Sequence, residues 1–191
     1  MAGLAPPHVK QCTLLLLQSC GRVLLGLKKR GFGAGKYNGF GGKIEPGESL
    51  FAAARREMLE ESGVDVPAAR YAAHLRFTFA GAAEALHVHV FAATAAETPA
   101  TVASDEMEPE WFDAAAPPLS RMWADDAHWL PAVLGGATLR ADFDFDGLET
   151  ITRAAVTLLP DGAPPCEYVG DPATAVLLPR GAPAQGALEF T

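Results

Sequence analysis

Short apolar runs and alternating apolar and polar positions recur along the chain and predict a fold rich in β-strands. The runs TLLLLQ (residues 13–18) and RVLLGL (residues 22–27) are divided by Ser19-Cys20-Gly21, a pattern typical of a β-hairpin. Similar patterns predict five more strands, near residues 71–79, 86–93, 108–112, 139–145 and 151–158. Most of the chain is therefore expected to build a sheet.

Two segments have helical spacing instead. Ser49 is a suitable N-cap and Gly63 a suitable C′ residue, and a partial apolar stripe lies between them at Leu50, Ala54, Met58 and Leu59. A second helix is predicted over residues 125–134 (DDAHWLPAVL), with its length left open because Pro131 lies inside it. Strands interspersed with helices predict an α/β fold.

The segment from Lys28 to Gly42 (KKRGFGAGKYNGFGG) holds six glycines in fifteen residues. Such a density suits a loop whose backbone approaches a ligand closely, and it also suits a flexible linker. The interleaved aromatic residues Phe32, Tyr37 and Phe40 favour the ordered loop.

Length and composition fit one domain. The 191 residues divide into a loose arm at residues 1–9, a folded domain at residues 10–159 and a tail rich in Pro, Gly and Ala at residues 160–191. The three cysteines lack metal-ligand or disulfide-framework spacing, which fits a reducing compartment. No signal-peptide pattern or long apolar run is present, so we expect a soluble, intracellular protein.

The net charge of −8 argues against binding to the nucleic-acid backbone, which requires a basic surface. An acidic protein can still bind a small phosphate compound when metal ions screen the charge.

The first predicted helix carries carboxylates at a chemically informative spacing. Glu57, Glu60 and Glu61 stand three and four residues apart, which places them on one face of the helix. Their mutual repulsion is costly without a cation, and hard oxygen ligands favour Mg²⁺. We therefore expect a metal-dependent site acting on phosphates, the alternative being a solvated acidic helix face.

The same segment carries a longer pattern, G-x5-E-x7-R-E-U-x-E-E-x-G-U, in which U is a bulky apolar residue. Its fixed identities are Gly42, Glu48, Arg56, Glu57, Glu60, Glu61 and Gly63. This pattern resembles the box of the Nudix hydrolase family. The resemblance implies an α/β/α sandwich around a mixed β-sheet, and hydrolysis of a nucleoside diphosphate linked to another group.

The resemblance also implies a cofactor and roles for the box residues. Mg²⁺, with Mn²⁺ able to substitute, would be held by Glu57, Glu60, Glu61 and the Gly41 carbonyl. Arg56 would orient Glu57, and the role of Glu48 stays open between ligand, base and structural residue. Glu106 matches a family glutamate that approaches the metal from another loop, as a fourth ligand or as the general base.

Flanking segments narrow the resemblance within the family. RVLLGLKKRGFGAGKYNGFGGKI, SDEMEPEWF and MWADDAHWLP resemble the MutT-homologue group over about residues 12–158. Members of that group hydrolyse oxidised purine nucleoside triphosphates, of the 8-oxo-dGTP and 2-oxo-dATP type, to the monophosphate and pyrophosphate, which sanitises the nucleotide pool. The implied partner is a small nucleotide, without stable binding to nucleic acid or membrane. We expect a cytoplasmic monomer, with a nuclear or organellar share left open.

The resemblance assigns residues to a base pocket. Asn38 would hydrogen-bond the purine edge, Trp123 would stack on the base, and Lys28 would face the phosphates. The remaining pocket residues would be Thr13, Leu14, Phe32, Phe77, Phe79 and Met107, although Phe79 fits an ordinary core position equally well.

Asp125 and Asp126 would read the base. Two adjacent carboxyls in an apolar pocket cannot both ionise cheaply, so we expect one to hold a proton near neutral pH. An acidic pair at a helix N-terminus, favoured by the helix dipole, is a compatible alternative.

Several readings stay open. His87 and His89 form an H-x-H on a strand that could bind metal, although a structural role is favoured because no third ligand is evident. Lys36 and Tyr37 stand where the resembled group has arginine and tryptophan. Rival functions are a Nudix enzyme for nucleotide sugars or RNA caps, and a non-catalytic nucleotide- or RNA-binding module.

Overall fold

The computed structural model describes residues 8–160, 162–163 and 187–190. Within these residues there are nine strands and two α-helices, joined by loops and one 3-10 turn at Leu119–Arg121. The strands are β1 His8–Ser19, β2 Arg22–Lys28, β3 Tyr37–Asn38, β4 Arg70–Phe79, β5 Glu84–Thr94, β6 Met107–Asp113, β7 Thr138–Asp146, β8 Thr150–Leu159 and β9 Ala187–Phe190. The helices are α1 Leu50–Ser62 and α2 Asp126–Leu134.

The strands form one mixed sheet in the order β3-β2-β1-β5-β4-β7-β8-β9, with β6 on the other edge of β2. The pairs β1–β5 and β4–β7 are parallel and the others antiparallel. This confirms the predicted α/β fold with a mixed sheet.

Strand β2 shares one of its edges between two strands. Strand β6 pairs with the whole of β2, whereas β1 pairs only with Arg22–Leu24 and β3 only with Gly26 and Leu27. The end of the glycine-rich segment therefore lies beside β1, and Phe40 bridges to Leu15.

Side chains alternate along β1 between two hydrophobic cores. Leu14 and Leu16 pack on the side of α2, in a core that includes Trp129, Leu130 and Phe143. Leu15 and Leu17 pack on the opposite side, against α1 residues such as Met58. The continuous apolar run in β1 thus reflects burial on both faces of the sheet.

Local predictions for the turns and for α1 are confirmed. The hairpin turns at Cys20 and Gly21, which have φ of 50° and 73°. In α1 the Ser49 hydroxyl accepts a hydrogen bond from the Ala52 N–H, and Gly63 ends the helix with φ 73°. Those left-handed angles favour glycine because they cost a side chain steric energy.

The glycine-rich segment is the ordered loop that its aromatic residues predict. The N–H of Lys28 donates to the Lys36 carbonyl, and the N–H of Gly35 donates to the Lys28 carbonyl. Strand β3 then pairs with β2.

The chain ends differ in part from the prediction. Residues 1–7 and most of the predicted tail lie outside the described residues. His8 and Val9, predicted to lie in the arm, instead begin β1, because they pair in parallel with Glu84 and Ala85. Residues 187–190 pair with β8. Among the described residues, no helix is long and apolar enough to cross a membrane.

Candidate active site

Helix α1 turns two of its glutamates toward the sheet and one toward solvent. Glu61 is 5% exposed and accepts a hydrogen bond from the Gly41 N–H at 3.1 Å. The Glu57 side chain is 18% exposed and that of Glu60 is 58% exposed. Burial raises the pKa of both Glu57 and Glu61. Glu57 and Glu61 are therefore only partly solvated, and a nearby cation stabilises their charged forms.

The glycine segment reaches α1 because it is paired with β1 through its backbone. The Thr13 N–H donates to the Gly42 carbonyl at 2.8 Å, and Leu15 exchanges hydrogen bonds with Phe40. A Cβ atom on Gly41 would lie 2.0 Å from the Thr13 carbonyl oxygen, so only glycine fits there.

Arg56 connects the carboxylates of the box. Its guanidinium donates to both carboxylate oxygens of Glu48, at 2.8 and 3.0 Å, and to Glu57 at 2.9 Å. It also reaches Glu60 at 3.3 Å. Arg56 lowers the pKa of Glu48, as expected for a charge-assisted, bidentate pair. The predicted orienting role of Arg56 agrees with these contacts.

Lys28 joins the helix to a separate loop. Its ammonium lies 3.2 Å from Glu61 and 2.8 Å from Glu106. Arg30 also contacts Glu106, at 3.1 Å. The hydrogen bond from Lys28 is the main cause of the lowered pKa of Glu106. Glu106 and Glu61, which come from distant parts of the sequence, are thus brought to the same ammonium group.

The carboxylates fit a divalent ion in their chemistry, since all are hard oxygen ligands and two of them are partly desolvated. In this structure their charges are partly offset by Arg56, Lys28 and Arg30. Within the described residues, no three His, Cys, Asp or Glu side chains form a group that could hold a metal ion. The joint action of Glu57, Glu60, Glu61, Glu106 and Gly41 as ligands stays a prediction.

A cavity of about 230 Å³ lies beside this carboxylate site, on the α2 side of the sheet. Its lining includes all the residues assigned to the substrate from sequence, namely Thr13, Leu14, Lys28, Phe32, Asn38, Phe77, Phe79, Met107, Trp123, Asp125 and Asp126. Gly41 and Gly42 also line it, so the cavity continues to the carboxylate site. Phe79 is a wall residue, packed on Phe145.

Asp125 and Asp126 line the cavity and are buried, with 6% and 2% exposure. Asp125 accepts a hydrogen bond from the Trp129 indole N–H at 3.0 Å, and Asp126 accepts one from the Trp123 backbone N–H at 2.9 Å. Burial raises the pKa of both carboxyls, and the charge of Asp125 raises that of Asp126 further. Asp125 makes no side-chain capping hydrogen bond to α2. The environment therefore favours a retained proton over a simple capping role.

Trp123 borders the same cavity. Its ring stacks on Phe32 with centroids 4.9 Å apart and planes at 20°. The Lys36 ammonium lies 5.0 Å from the ring centroid, and a Cβ on Gly33 would lie 3.0 Å from the ring. Asn38 lines the same cavity, and its side-chain oxygen accepts a hydrogen bond from the Gly39 N–H at 2.8 Å, which orients its amide.

Some lining residues were not assigned from the sequence. Leu75 alternates with Phe77 and Phe79 along β4, so it could have been predicted to face the same side of the sheet. The same two-residue period in β5 and β7 could have predicted Leu86, Val88 and Phe145. Trp129 follows Asp125 at helical spacing. Cys12 stands two residues before Leu14 in β1 and carried the same signal, whereas Lys36 and Leu148 carried none.

His87 and His89 belong to a buried cluster with a third histidine. His74 lies 3.3 Å from His87, between ring nitrogens, and its ring stacks on His89 with centroids 4.8 Å apart. His89 lies between the Tyr71 hydroxyl and the Gln11 side chain. Burial lowers the pKa of His87 and of His89 to about 4, so both are neutral at pH 7. Both ring nitrogens of His89 face hydrogen-bond partners, and one ring nitrogen of His87 faces His74, which supports the structural role.

Comparison with known proteins adds independent observations. The NUDIX domain family model matches residues 7–133. The zebrafish (Danio rerio) oxidized purine nucleoside triphosphate hydrolase is 50% identical over 145 residues, covering 75% of this chain and 92% of that protein. The mouse (Mus musculus) protein of the same name is 43% identical over 139 residues, covering 73% and 88%.

Among solved structures, the chain is similar to a mutator MutT protein from Bacillus halodurans. The TM-score is 0.67 at 23% sequence identity, covering 81% of this chain and 99% of that one. At this identity the similarity concerns the fold.

Proposed function

The chain belongs to the Nudix hydrolase family, and on that premise we propose that it hydrolyses oxidised purine nucleoside triphosphates. The substrates would be of the 8-oxo-dGTP and 2-oxo-dATP type, and the products the nucleoside monophosphate and pyrophosphate. Removing such nucleotides before a polymerase uses them would protect DNA from mutation.

One observation carries this proposal: a single cavity is lined both by a buried carboxyl pair and by Gly41 and Gly42, the two glycines that lie against Glu61 and Glu57 of the box. Asp125 and Asp126 lie at its base end, and Gly41 and Gly42 at its phosphate end. Aromatic and aliphatic walls lie between, as expected for a site that holds a flat ring. A nucleotide is the ligand class whose two ends match these two chemistries.

At the base end, the chain would read the purine through hydrogen bonds in a dry pocket. A protonated carboxyl donates and an ionised one accepts, so Asp125 and Asp126 together offer one donor and one acceptor. Exchanging the proton between them would reverse that order. The same pocket could then match 8-oxoguanine and an oxidised adenine, with Asn38 hydrogen-bonding the purine edge and Trp123 stacking on the ring.

Nudix enzymes typically depend on a divalent metal, which in this chain would bind at the phosphate end of the cavity. We infer that Glu57, Glu60, Glu61, Glu106 and the Gly41 carbonyl hold Mg²⁺, with Mn²⁺ able to substitute. The metal would supply charge neutralisation and activation of water for attack on phosphorus.

Other residues act on these carboxylates and on the substrate. Arg56 holds Glu57 and Glu48 in fixed orientations through charge-assisted hydrogen bonds. Lys28 lines the cavity, and its ammonium would meet the negative charge of the phosphates.

The decisive experiment is a substrate panel that measures pyrophosphate release in Mg²⁺. We expect 8-oxo-dGTP and 2-oxo-dATP to be hydrolysed with higher kcat/KM than dGTP and dATP. Preferred cleavage of a nucleotide sugar or an RNA cap would support the rival Nudix activity instead.

The Glu61→Gln variant separates an enzyme from a binding module. Glu61 contacts Lys28 and Gly41 without reaching the base-reading carboxyls, so we expect loss of turnover with nucleotide binding retained. A wild-type protein that binds nucleotides yet hydrolyses none of the panel would support the non-catalytic module.

We propose a monomer that acts in the cytoplasm. Light scattering on the purified protein tests the first point, and imaging of a tagged protein tests the second.

A further inference from the structure

Lys36 makes contacts across the mouth of the cavity that neither the proposed chemistry nor the sequence accounts for. It is the last residue before β3 in the glycine-rich segment. It lines the cavity and stands two residues before Asn38. Its ammonium lies 3.2 Å from the Glu149 carboxylate and 3.4 Å from the Met122 carbonyl oxygen. It also lies 5.0 Å from the centroid of the Trp123 ring, within cation–π range.

These contacts join three separate parts of the fold. Lys36 belongs to the glycine-rich loop, Met122 and Trp123 precede α2, and Glu149 lies in the turn between β7 and β8. The neighbour of Glu149, Leu148, is a cavity wall residue. A three-donor ammonium can serve the carboxylate and the carbonyl together while facing the indole. The base end of the cavity is therefore enclosed by segments that meet at one side chain.

We propose that Lys36 is a positioning residue for base recognition, which holds the glycine-rich loop, the Trp123 segment and the β7–β8 turn together around the purine. This inference rests on the proposed function. Lys36 makes no contact with the carboxylates of α1. It therefore affects the affinity for substrate and not the rate of bond cleavage.

The electrostatics of the pocket agree with this role. The positive charge of Lys36 lowers the pKa of Asp126, and so opposes the effects of burial and of Asp125. The ion pair is partly screened, since the Lys36 side chain is 26% exposed and that of Glu149 is 64% exposed. The ion pair alone therefore contributes little to holding these segments together, and the contacts of Lys36 with Trp123 and Met122 add to that contribution.

The test compares steady-state kinetics with 8-oxo-dGTP in Mg²⁺ for the wild type, Lys36→Met, Lys36→Arg and Glu149→Gln. We expect Lys36→Met to raise KM roughly three- to tenfold with kcat within about twofold of wild type. Lys36→Arg should stay near wild type, because a guanidinium can pair with Glu149 and stack on Trp123. Glu149→Gln should raise KM by a smaller factor.

Lys29→Met is the matched control. Lys29 also makes a surface ion pair, with Glu108 at 3.6 Å, but it is not a lining residue of the cavity. We expect its KM to equal that of the wild type. A thermal melt of each variant identifies any loss of folding.

The charge-reversed pair gives a further readout. Lys36→Glu alone should raise KM, and adding Glu149→Lys should recover part of the loss by restoring the ion pair. The inference is overturned if Lys36→Met leaves KM unchanged or lowers kcat as strongly as kcat/KM. It is also overturned if Lys36→Arg raises KM as much as Lys36→Met does. A wild type that fails to hydrolyse 8-oxo-dGTP overturns the proposed function itself and this inference with it, whereas an active wild type with an unaffected Lys36→Met overturns this inference alone.

Discussion

A Cβ atom on Gly42 would lie 2.5 Å from the Oε1 atom of Glu57. The carboxylate therefore rests directly against the backbone of the glycine segment, with no room for a side chain. The same glycine accepts the Thr13 N–H through its carbonyl, so it cannot move aside without breaking the bridge to β1. A physical reason for glycine at this position of the box follows from this contact alone.

Gly42→Ala is expected to displace Glu57 and to lower kcat for 8-oxo-dGTP by roughly a hundredfold, the scale of a misplacement of about 1 Å in an active site. Steady-state kinetics in Mg²⁺ measures the effect. Gly47→Ala is the control, since Gly47 has φ of 84° but no neighbour within 4 Å of an added Cβ. The control should lose some stability and keep its activity; equal loss of kcat in both variants would contradict the role of the contact.

Lys28 neutralises two carboxylates that otherwise repel each other. We expect Lys28→Met to lower the free energy of unfolding by about 1 kcal/mol without metal, because Glu61 and Glu106 lose their shared counter-ion. Adding Mg²⁺ should stabilise this variant more than it stabilises the wild type. Thermal melts with and without Mg²⁺ measure both effects, and Lys29→Met serves as control. Equal melting temperatures of Lys28→Met and wild type in chelator would refute this expectation.

The carboxyl pair is expected to set the choice of base. Asp125→Asn and Asp126→Asn each replace an exchangeable donor or acceptor by a fixed amide. We expect each to lower the preference for 8-oxo-dGTP over dGTP, in kcat/KM, by about tenfold to a hundredfold. Competition assays with both nucleotides measure it directly. Unchanged discrimination in both variants would remove the pair from base recognition.

The same pair predicts a pH dependence of stability. Burial raises the pKa of Asp125 to about 6 and raises the pKa of Asp126 well above its usual value, so the folded protein holds protons that the unfolded chain releases. Their stabilising effect is present at low pH and is lost as pH rises through the folded pKa values. Relative to Asp125→Asn/Asp126→Asn, wild type should lose on the order of 2–3 kcal/mol between about pH 4 and pH 7, since one pKa unit corresponds to about 1.4 kcal/mol. Urea unfolding at several pH values measures the difference, and a constant difference would contradict the raised pKa values.

Features set by neighbouring residues could be predicted from the sequence. The caps at Ser49 and Gly63 and the hairpin at Cys20-Gly21 depend on a few adjacent positions. The carboxylates of α1 follow from helical spacing. The base-pocket residues came from resemblance, since nothing in their spacing brings Asn38 close to Trp123.

Features set by pairing between distant segments could not be predicted. His74 joins His87 and His89 because β4 pairs with β5 so that His74 lies opposite His89. Sequence spacing contains no information about that register. In the same way, the ion pair between Lys36 and Glu149 spans 113 positions and depends on how the β7–β8 turn packs against the glycine-rich loop.

The pairing of the glycine segment with β1 has a consequence for the length of the ligand. Asn38 and Gly41 are three residues apart, so their Cα atoms can be separated by no more than about 11 Å. Backbone hydrogen bonds hold Phe40 to Leu15 within this stretch and Gly42 to Thr13 just after it, which limits how far the stretch can shift. On the proposed function, the segment would fix the distance between the bound purine and the bond to be cut. On the proposed function, a nucleotide with a spacer between sugar and phosphates would bring a different bond to the glutamates, so we expect selection by length as well as by base.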